Sequence, residues 1–330
     1  MFIAVHVGAG NLSRSKEPRY RAVLARACEA AMELLKQGAN ASDAVARAIT
    51  VLEDDPTTNA GYGSNLTLHG TVECDASLMD GKTNAFGAVG ATTGIKNPIL
   101  AAKKLADDST QLLPLGRVPP IMLTGQGASD WAKHHGLYTD VNLIAEEAFD
   151  TYMKHMSMLC EVHDTVGAIG VDSEGHVAAG VSSGGISLKV PGRVGEAAVY
   201  GSGCWAQDAT DESPAVACST SGTGEQIMRT MITTKCAQRI TQEDNIQSAV
   251  TTCLQKDFLD SPFLRMYDDK SAGMITLCRD KLSGRIEFWY AHVTESMGIG
   301  CMSSTAKKPK TFISRKSSND AMISAGWLVH

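Results

Sequence analysis

The chain has 330 residues, of which 43% are hydrophobic and 20% are charged, and its formal net charge at pH 7 is -6. This composition is typical of a folded globular protein, and the length allows one large domain or two. The negative charge argues against direct nucleic-acid binding. No apolar run approaches the ~20 residues that a membrane-spanning helix needs, so we expect no membrane partner.

The cysteine pattern and the first residues indicate the compartment. Nine cysteines are scattered without a C-x-x-C pair or a histidine at zinc spacing, which favours reduced thiols over disulfides or a metal site. The apolar start at 1–7 is typical of an opening strand rather than a signal peptide. We therefore expect a soluble intracellular protein of the cytoplasm, the nucleus or both, without metal or cofactor. The basic cluster 307–310 predicts a solvated loop, with a nuclear-import signal as the alternative.

Apolar spacing divides the chain into helices and strands. In the first half, the predicted helices are 19–37, 43–52, 98–105, 126–136 and, with weaker patterning, 145–158, and the predicted strands are 1–7, 66–68, 72–78, 85–91 and 121–124. In the second half, the predicted strands are 165–171, 176–183, 196–201, 214–219, 273–279, 285–292, 297–302 and 311–314, and the predicted helices are 224–239 and 242–257. Helices that lie between groups of consecutive strands favour a layered α+β fold over a parallel βαβ array.

Thr165 begins the β-rich second half, directly after a polar segment. In an intact chain it is an ordinary strand residue. If the bond between Asp164 and Thr165 is cut, the new α-amine, with an unperturbed pKa of roughly 7.7–8.0, lies beside the hydroxyl. Such an amine can act as the general base for its own nucleophile. The residues at this position leave both interpretations open.

The loop SSGG at 182–185 ends the strand that follows Thr165. A hairpin whose turn lies near residue 173 brings Ser183 back beside Thr165, where its hydroxyl can orient the nucleophile. A polar strand end is the alternative for this loop taken alone.

Two further loops offer groups for an anion. The loop KVPGRVGE at 189–196 presents Arg193, whose guanidinium suits bidentate capture of a carboxylate, although a surface salt bridge is favoured by spacing alone. The glycines at 219–225 precede a predicted helix and expose backbone N–H groups that can bind an anion or oxyanion. A lone Gly-x-Gly of this kind is weak evidence.

Six short motifs follow one another along most of the chain. They are IAVHVGAG at 3–10, NAGYGS at 59–64, ECDASLMDG at 73–81, TVGA at 165–168, GRVG at 192–195 and GTGE at 222–225. Together they resemble the type 2 (plant-type) asparaginase family of N-terminal-threonine hydrolases. Four more segments are similar to its threonine aspartase (taspase) branch, whose members are endopeptidases. They are HDT at 163–165, YGSGCWA at 200–206, TESMGIG at 294–300 and KTFISR at 310–315.

The resemblance implies one α+β domain, an αββα sandwich, that is made as an inactive precursor. Thr165 attacks the Asp164 carbonyl, an acyl shift forms an ester, and hydrolysis leaves an α subunit, 1–164, and a β subunit, 165–330. The processed αβ units are expected to pair as α2β2.

The resemblance also implies roles for individual residues. Thr165 is the nucleophile and Ser183 supports it, while Asn59 and the backbone of Ser221, Gly222 and Gly224 polarise the carbonyl or hold the substrate.

Further residues are implied to bind the substrate. Arg193 grips its carboxylate. Glu196 stands where asparagine-hydrolysing members usually carry an Asp that binds the substrate amine. Lys16 is a weaker candidate for anion binding.

The implied activity is self-processing followed by cleavage of polypeptide substrates after Asp, with nuclear regulatory proteins as the expected substrates. An L-asparaginase or isoaspartyl peptidase that uses the same N-terminal threonine is the alternative. A non-catalytic binding scaffold is a third hypothesis, and it predicts an intact chain. The acidic segment 140–164 is shorter than the basic segment that commonly precedes the nucleophile in the taspase branch.

Overall fold

The structure is a computed structural model that describes residues 1–138, 143–158, 165–243 and 245–329. Thr165 lies within these ranges, whereas Asp164, the predicted cleavage position, lies outside them. In the described ranges no helix is long and apolar enough to span a membrane. The eight cysteines found there are all buried and have free thiols.

Thirteen strands occur within the described ranges. They are β1 (Phe2–Gly10), β2 (Cys74–Asp80), β3 (Phe86–Thr92), β4 (Met122–Thr124), β5 (Val166–Val171), β6 (Val177–Ser183), β7 (Cys204–Gln207), β8 (Ala215–Gly222), β9 (Ala272–Arg279), β10 (Ile286–His292), β11 (Ser296–Ser303), β12 (Lys310–Arg315) and β13 (Ile323–Val329).

Eight α-helices are described, together with short 3-10 turns. The helices are α1 (Glu17–Lys36), α2 (Ala41–Glu53), α3 (Pro98–Ser109), α4 (Gly125–His134), α5 (Glu146–Met158), α6 (Gly224–Thr230), α7 (Ile232–Gln242) and α8 (Ile246–Thr252), and a π-helical turn, Cys253–Leu259, continues α8.

The strands form two sheets. The larger has eight strands in the order β12-β11-β1-β5-β6-β2-β3-β4, and the smaller has five in the order β13-β10-β9-β8-β7. Every neighbouring pair is antiparallel except β3 and β4. The hairpin of β5 and β6, which follows Thr165, therefore lies in the middle of the larger sheet.

The central strand β1 shows how the layers arise from the sequence. Side chains of a strand alternate between the two faces of its sheet. Ile3 and Val5 face the layer of α1 and α2, whereas Phe2 and Ala4 face the second sheet. Both faces of β1 are thus buried, which accounts for its nearly continuous apolar sequence.

Three hydrophobic cores separate four layers. The first lies between α1, α2 and the larger sheet, and the second lies between the inner faces of the two sheets. The third lies between the smaller sheet and the helices α7 and α8. This α+β arrangement of helices, sheet, sheet and helices confirms the predicted αββα sandwich.

Several element predictions differ from the structure. The predicted strand 196–201 is a 3-10 turn, Glu196–Ala198, and the strand begins later as β7. Residues 66–68 form only isolated bridges. Strand β13 was not predicted, because its apolar residues alternate weakly with small ones, and it is packed by contacts such as Phe288 on Trp327.

The predicted helix 224–239 is broken at Met231, whose φ of 50° is left-handed. The Thr230 hydroxyl donates to the Gln226 carbonyl at 2.8 Å, and such side-chain bonds compete with the helical backbone. The predicted helix 242–257 is likewise replaced by the shorter α8 and its π-helical turn.

Candidate active site

Thr165 lies at the open end of the hairpin formed by β5 and β6. Val166 pairs with Ser182 across the hairpin, so the next residues outward, Thr165 and Ser183, also face each other. The two side-chain oxygens are 3.1 Å apart. Thr165 is only 2% exposed, which places its hydroxyl inside the protein beside a second hydroxyl.

A small cavity opens at Thr165. Its lining residues are Thr165, Ser183, Gly185, Ile186, Arg193, Glu196, Gly222 and Gly224. Six of these eight residues are ones that the sequence singled out, and they are Thr165 itself and residues of three separate loops. The fold therefore brings the predicted nucleophile, the predicted carboxylate-binding arginine and the glycine loop to one place.

The Arg193 guanidinium lies in this cavity with a carboxylate already bound to it. Its Nε donates to Glu225 Oε1 at 2.9 Å and its Nη2 donates to Glu225 Oε2 at 2.8 Å. Such a two-bond fork fixes the plane of the guanidinium. Glu225 was not predicted as a site residue, although it belongs to the GTGE motif and occupies the first turn of α6.

Glu196 contacts the nucleophile directly. Its Oε1 lies 2.9 Å from Thr165 Oγ1, and the residue is only 3% exposed. Burial raises the pKa of Glu196 to about 7, against the opposing effect of the Arg193 charge. The resemblance placed Glu196 where family members usually carry an Asp for the substrate amine, and in the structure its carboxyl faces the Thr165 hydroxyl.

The glycine loop passes too close to these groups for any side chain. A Cβ on Gly224 would lie 2.5 Å from Glu196 Oε2 and 2.8 Å from Arg193 Nη2. At Gly222 the φ is +147°, and a Cβ would lie 2.2 Å from the Ser271 carbonyl oxygen. Glycine is therefore required at Gly222 for steric reasons, and a side chain at Gly224 would displace the ends of the Glu196 and Arg193 side chains.

Ser221 fixes the backbone nitrogen of Thr165. Its Oγ accepts hydrogen bonds from the Thr165 N–H at 3.3 Å and from the Ala9 N–H at 3.0 Å. The nitrogen that would become the α-amine after cleavage is thus held next to β8, which ends at the glycine loop. The sequence predicted a role for the Ser221 backbone, and the structure adds its side chain.

Asn59 lies behind the cavity rather than in its lining. Its side-chain N–H donates to the Gly185 carbonyl at 2.9 Å, and its side-chain oxygen accepts from the Asn65 N–H at 2.8 Å. Its own carbonyl accepts from the Gly184 N–H at 2.9 Å. These contacts hold the loop that follows Ser183, so they support a positioning role, and the predicted contact with a substrate carbonyl stays a prediction.

Two buried charges support the same loops and were not predicted. Lys189 is 2% exposed, and its ammonium donates to the Gly184 carbonyl at 3.0 Å. The Asp75 carboxylate accepts from the N–H groups of Ala91 and Gly195, each at 2.8 Å. Asp75 belongs to the ECDASLMDG motif, so the resemblance contained a signal for it.

The structure places the predicted residue Lys16 in a surface ion pair and not in the lining of the cavity. Its ammonium pairs with Glu147 on α5 at 2.7 Å, and Glu147 also binds Arg19. The side chains of Lys16 and Glu147 are 42% and 39% exposed. In the structure Lys16 therefore belongs to a surface ion-pair network, and its predicted role in binding a substrate anion gains no support.

The comparisons with known proteins agree with the fold. The model of the asparaginase family matches residues 1–277 of this chain. The chain belongs to this family. It is thus an enzyme of the N-terminal-nucleophile hydrolase group, and asparaginase-family membership confirms the coarser part of the resemblance.

Individual relatives of the asparaginase family cover most of the chain. It is 36% identical to an isoaspartyl peptidase/L-asparaginase of Bos taurus over 262 residues, which are 76% of this chain and 80% of the relative. It is 34% identical to an isoaspartyl peptidase of Escherichia coli K12 over 253 residues, which are 69% and 73% of the two chains. A plant-type L-asparaginase of Pyrobaculum calidifontis is 31% identical over 313 residues, which are 90% and 95%. The narrower likeness to the endopeptidase branch stays a prediction.

Proposed function

We propose that this chain is a self-processing hydrolase whose nucleophile is Thr165. The observation that carries the proposal is the position of the Thr165 hydroxyl, 3.1 Å from Ser183 Oγ and 2.9 Å from Glu196 Oε1, in the small cavity that these residues line. Cleavage before Thr165 would leave subunits 1–164 and 165–330. The new α-amine would lie near Ser221 and would serve as the general base in turnover.

The substrate we propose carries a carboxylate close to the bond that is cut. Arg193 supplies a permanent positive charge in the cavity, and the guanidinium geometry suits a carboxylate. In asparagine, an isoaspartyl dipeptide and a peptide aspartate, the carboxylate is about two carbons from the attacked carbonyl.

The geometry supports cleavage of peptides after Asp, because such a substrate carries no free amine near the cut bond. Free asparagine needs a fixed anion for its ammonium group. Glu196 is the acid at the expected position, but its Oε1 is occupied by the Thr165 hydroxyl at 2.9 Å. Burial also raises its pKa to about 7, so a large fraction of this carboxyl is neutral near pH 7 and binds a cation poorly.

The comparisons support a second substrate class, and they do so more directly than they support an endopeptidase. The relatives described above carry the names isoaspartyl peptidase and L-asparaginase. Glu196 keeps an acid where asparagine-hydrolysing members usually have Asp. Isoaspartyl dipeptides and asparagine are therefore the second candidate substrates, with the same nucleophile and the same arginine.

A competition between substrates separates the two candidates. Processed enzyme is given, in parallel, a peptide with an internal Asp, an isoaspartyl dipeptide and asparagine, and peptide cleavage and ammonia release are measured. Cleavage after Asp with little ammonia supports the endopeptidase, whereas comparable or faster turnover of asparagine or the dipeptide supports the second class. Thr165→Ala is the control and should be inactive on all three. The α2β2 assembly and nuclear protein substrates stay predictions.

A further inference from the structure

The first cleavage of this chain needs a base that the mature enzyme does not need. After processing, the α-amine of Thr165 can accept the hydroxyl proton. In the intact chain that nitrogen is part of a peptide bond and cannot act as a base. Self-cleavage, on which the proposed function depends, therefore requires another group to take the proton from Thr165 Oγ1.

We propose that Glu196 is the general base of self-cleavage, which takes the proton of the Thr165 hydroxyl while the chain is intact. Thr165 Oγ1 has two neighbouring acceptors, Glu196 Oε1 at 2.9 Å and Ser183 Oγ at 3.1 Å. A hydroxyl has one proton to donate, and an ionised carboxylate is the stronger acceptor. The Thr165 proton is thus directed to Glu196, and Ser183 is left to donate its own proton to Thr165 Oγ1.

The other titratable groups near Thr165 in the described ranges are unsuited to this task. Burial lowers the pKa of His6 to about 3, and its Nε2 lies 2.9 Å from Ser219 Oγ. Both Asp75 oxygens accept backbone N–H groups. Lys189 is a donor to two backbone carbonyls. Glu196 is the acid in this part of the structure that contacts the reacting oxygen.

The surroundings of Glu196 set the pH range in which it can act. Burial raises its pKa to about 7, while the Arg193 charge opposes this shift and the Asp75 charge adds to it. Glu225, on α6, faces Arg193 and compensates part of its charge. A base with a pKa near the working pH is both ionised often enough and strong enough to accept a proton.

The proposed step conserves atoms and charge. Thr165 Oγ1 forms a bond to the Asp164 carbonyl carbon while its proton passes to the Glu196 carboxylate. The bond from that carbon to the Thr165 nitrogen then breaks, and the protonated Glu196 returns the proton to the leaving nitrogen. The product is an ester and a free amine. One water then hydrolyses the ester, which gives the Asp164 carboxyl group and restores the Thr165 hydroxyl.

The test is the rate of self-cleavage of freshly synthesised full-length chain, followed by intact mass from about pH 5.5 to about pH 8.5. The wild-type rate should rise with pH through an inflection near 7, the pKa to which burial raises Glu196. Glu196→Gln should slow cleavage about 10²- to 10⁴-fold and remove that inflection. Glu196→Asp, which keeps the acid on a shorter side chain, should cleave slowly but retain a pH inflection.

A matched control is Glu53→Gln on α2. Glu53 is also fully buried, burial raises its pKa to about 8, its Oε1 accepts from the Ile99 N–H at 3.0 Å, and it does not line the cavity. This variant should cleave with the wild-type pH profile. If Glu196→Gln does not fold, the pH profile of self-cleavage of Glu196→Asp tests the role of Glu196 instead. A rate and a pH inflection of Glu196→Asp equal to those of wild type would overturn the proposal.

The outcomes separate this inference from the proposed function. Wild type that cuts before Thr165 while Glu196→Gln cuts equally fast, with the same inflection, would overturn the role of Glu196 alone. Wild type that never cuts would overturn both the inference and the proposed function.

Discussion

Replacing Arg193 with Ala should damage turnover far more than stability. The ion pair between Arg193 and Glu225 is lost, but 39% of the Glu225 side chain is exposed. The cost in unfolding free energy is therefore about 1–2 kcal/mol, below the ~3–5 kcal/mol that is typical of fully buried pairs. Loss of a charge-assisted bond to the substrate carboxylate is worth about 1.5–3 kcal/mol, so kcat/KM should fall roughly 10- to 150-fold.

The same variant should still process itself, with a shifted pH dependence. Burial raises the pKa of Glu196 and the Arg193 charge holds it down. Without that charge the pKa should rise further, so less of the Glu196 base is ionised at neutral pH. Self-cleavage of Arg193→Ala should be slowed at pH 7 and should recover at higher pH, because full ionisation restores the base.

The assay compares three variants by self-cleavage rate, by kcat/KM on the preferred substrate and by urea unfolding. Arg193→Lys keeps the positive charge but not the two-bond guanidinium geometry, so its kcat/KM should lie between those of wild type and Arg193→Ala. Arg239→Ala is the matched control, because Arg239 pairs with Asp257 through Nε at 2.6 Å, away from the cavity. It should lose stability and keep activity. Equal loss of processing and turnover in Arg193→Ala, at every pH, would refute the carboxylate-binding role.

Three further predictions concern the cavity and the buried acids. Ser183→Ala should slow both self-cleavage and turnover about tenfold, because it removes the hydroxyl 3.1 Å from Thr165 Oγ1; wild-type rates would contradict this. Gly224→Ala should lose activity while remaining folded by circular dichroism, because the added Cβ would displace Glu196 Oε2, which would be 2.5 Å away; full activity would be inconsistent with the described geometry. Burial raises the pKa of Glu53 to about 8, so between the ordinary carboxyl pKa and pH 8 the folded chain holds a proton that the unfolded chain releases. As pH rises across that range, the unfolding free energy of wild type in urea should fall relative to that of Glu53→Gln, by at most ~1.4 kcal/mol per pH unit. A difference in unfolding free energy between the two proteins that does not change with pH would argue against a raised pKa of Glu53.

Local patterns predicted a layered α+β fold and the approach of Ser183 to Thr165, whereas the αββα order and the gathering of the other site residues were implied by the family resemblance. Alternation along β1 buries both faces, and the hairpin after Thr165 returns Ser183 to the nucleophile whatever the rest of the fold does. The motifs supplied Arg193 and the glycine loop. The burial of β1 and the position of Ser183 depend on strand periodicity and turn position, which can be predicted from residues close together in the sequence.

The contacts between side chains from different loops could not be read in this way. The distance from Glu196 to Thr165 depends on the extra methylene that Glu has over Asp. It also depends on the 3-10 turn Glu196–Ala198, which the apolar pattern predicted as a strand. The pairing of Arg193 with Glu225 joins residues 32 positions apart. Lys16 has a positive charge in the loop after the first strand, but its ion-pair partner Glu147 on α5 could not be recognised from the sequence.

The most direct test of Thr165 as the nucleophile is the intact mass of purified protein after incubation at neutral pH, measured for wild type and for Thr165→Ala. We expect two wild-type fragments that meet between Asp164 and Thr165, and one uncut chain for the variant. An uncut wild-type chain, or a variant cut at the same bond, would contradict the claim that Thr165 is the nucleophile.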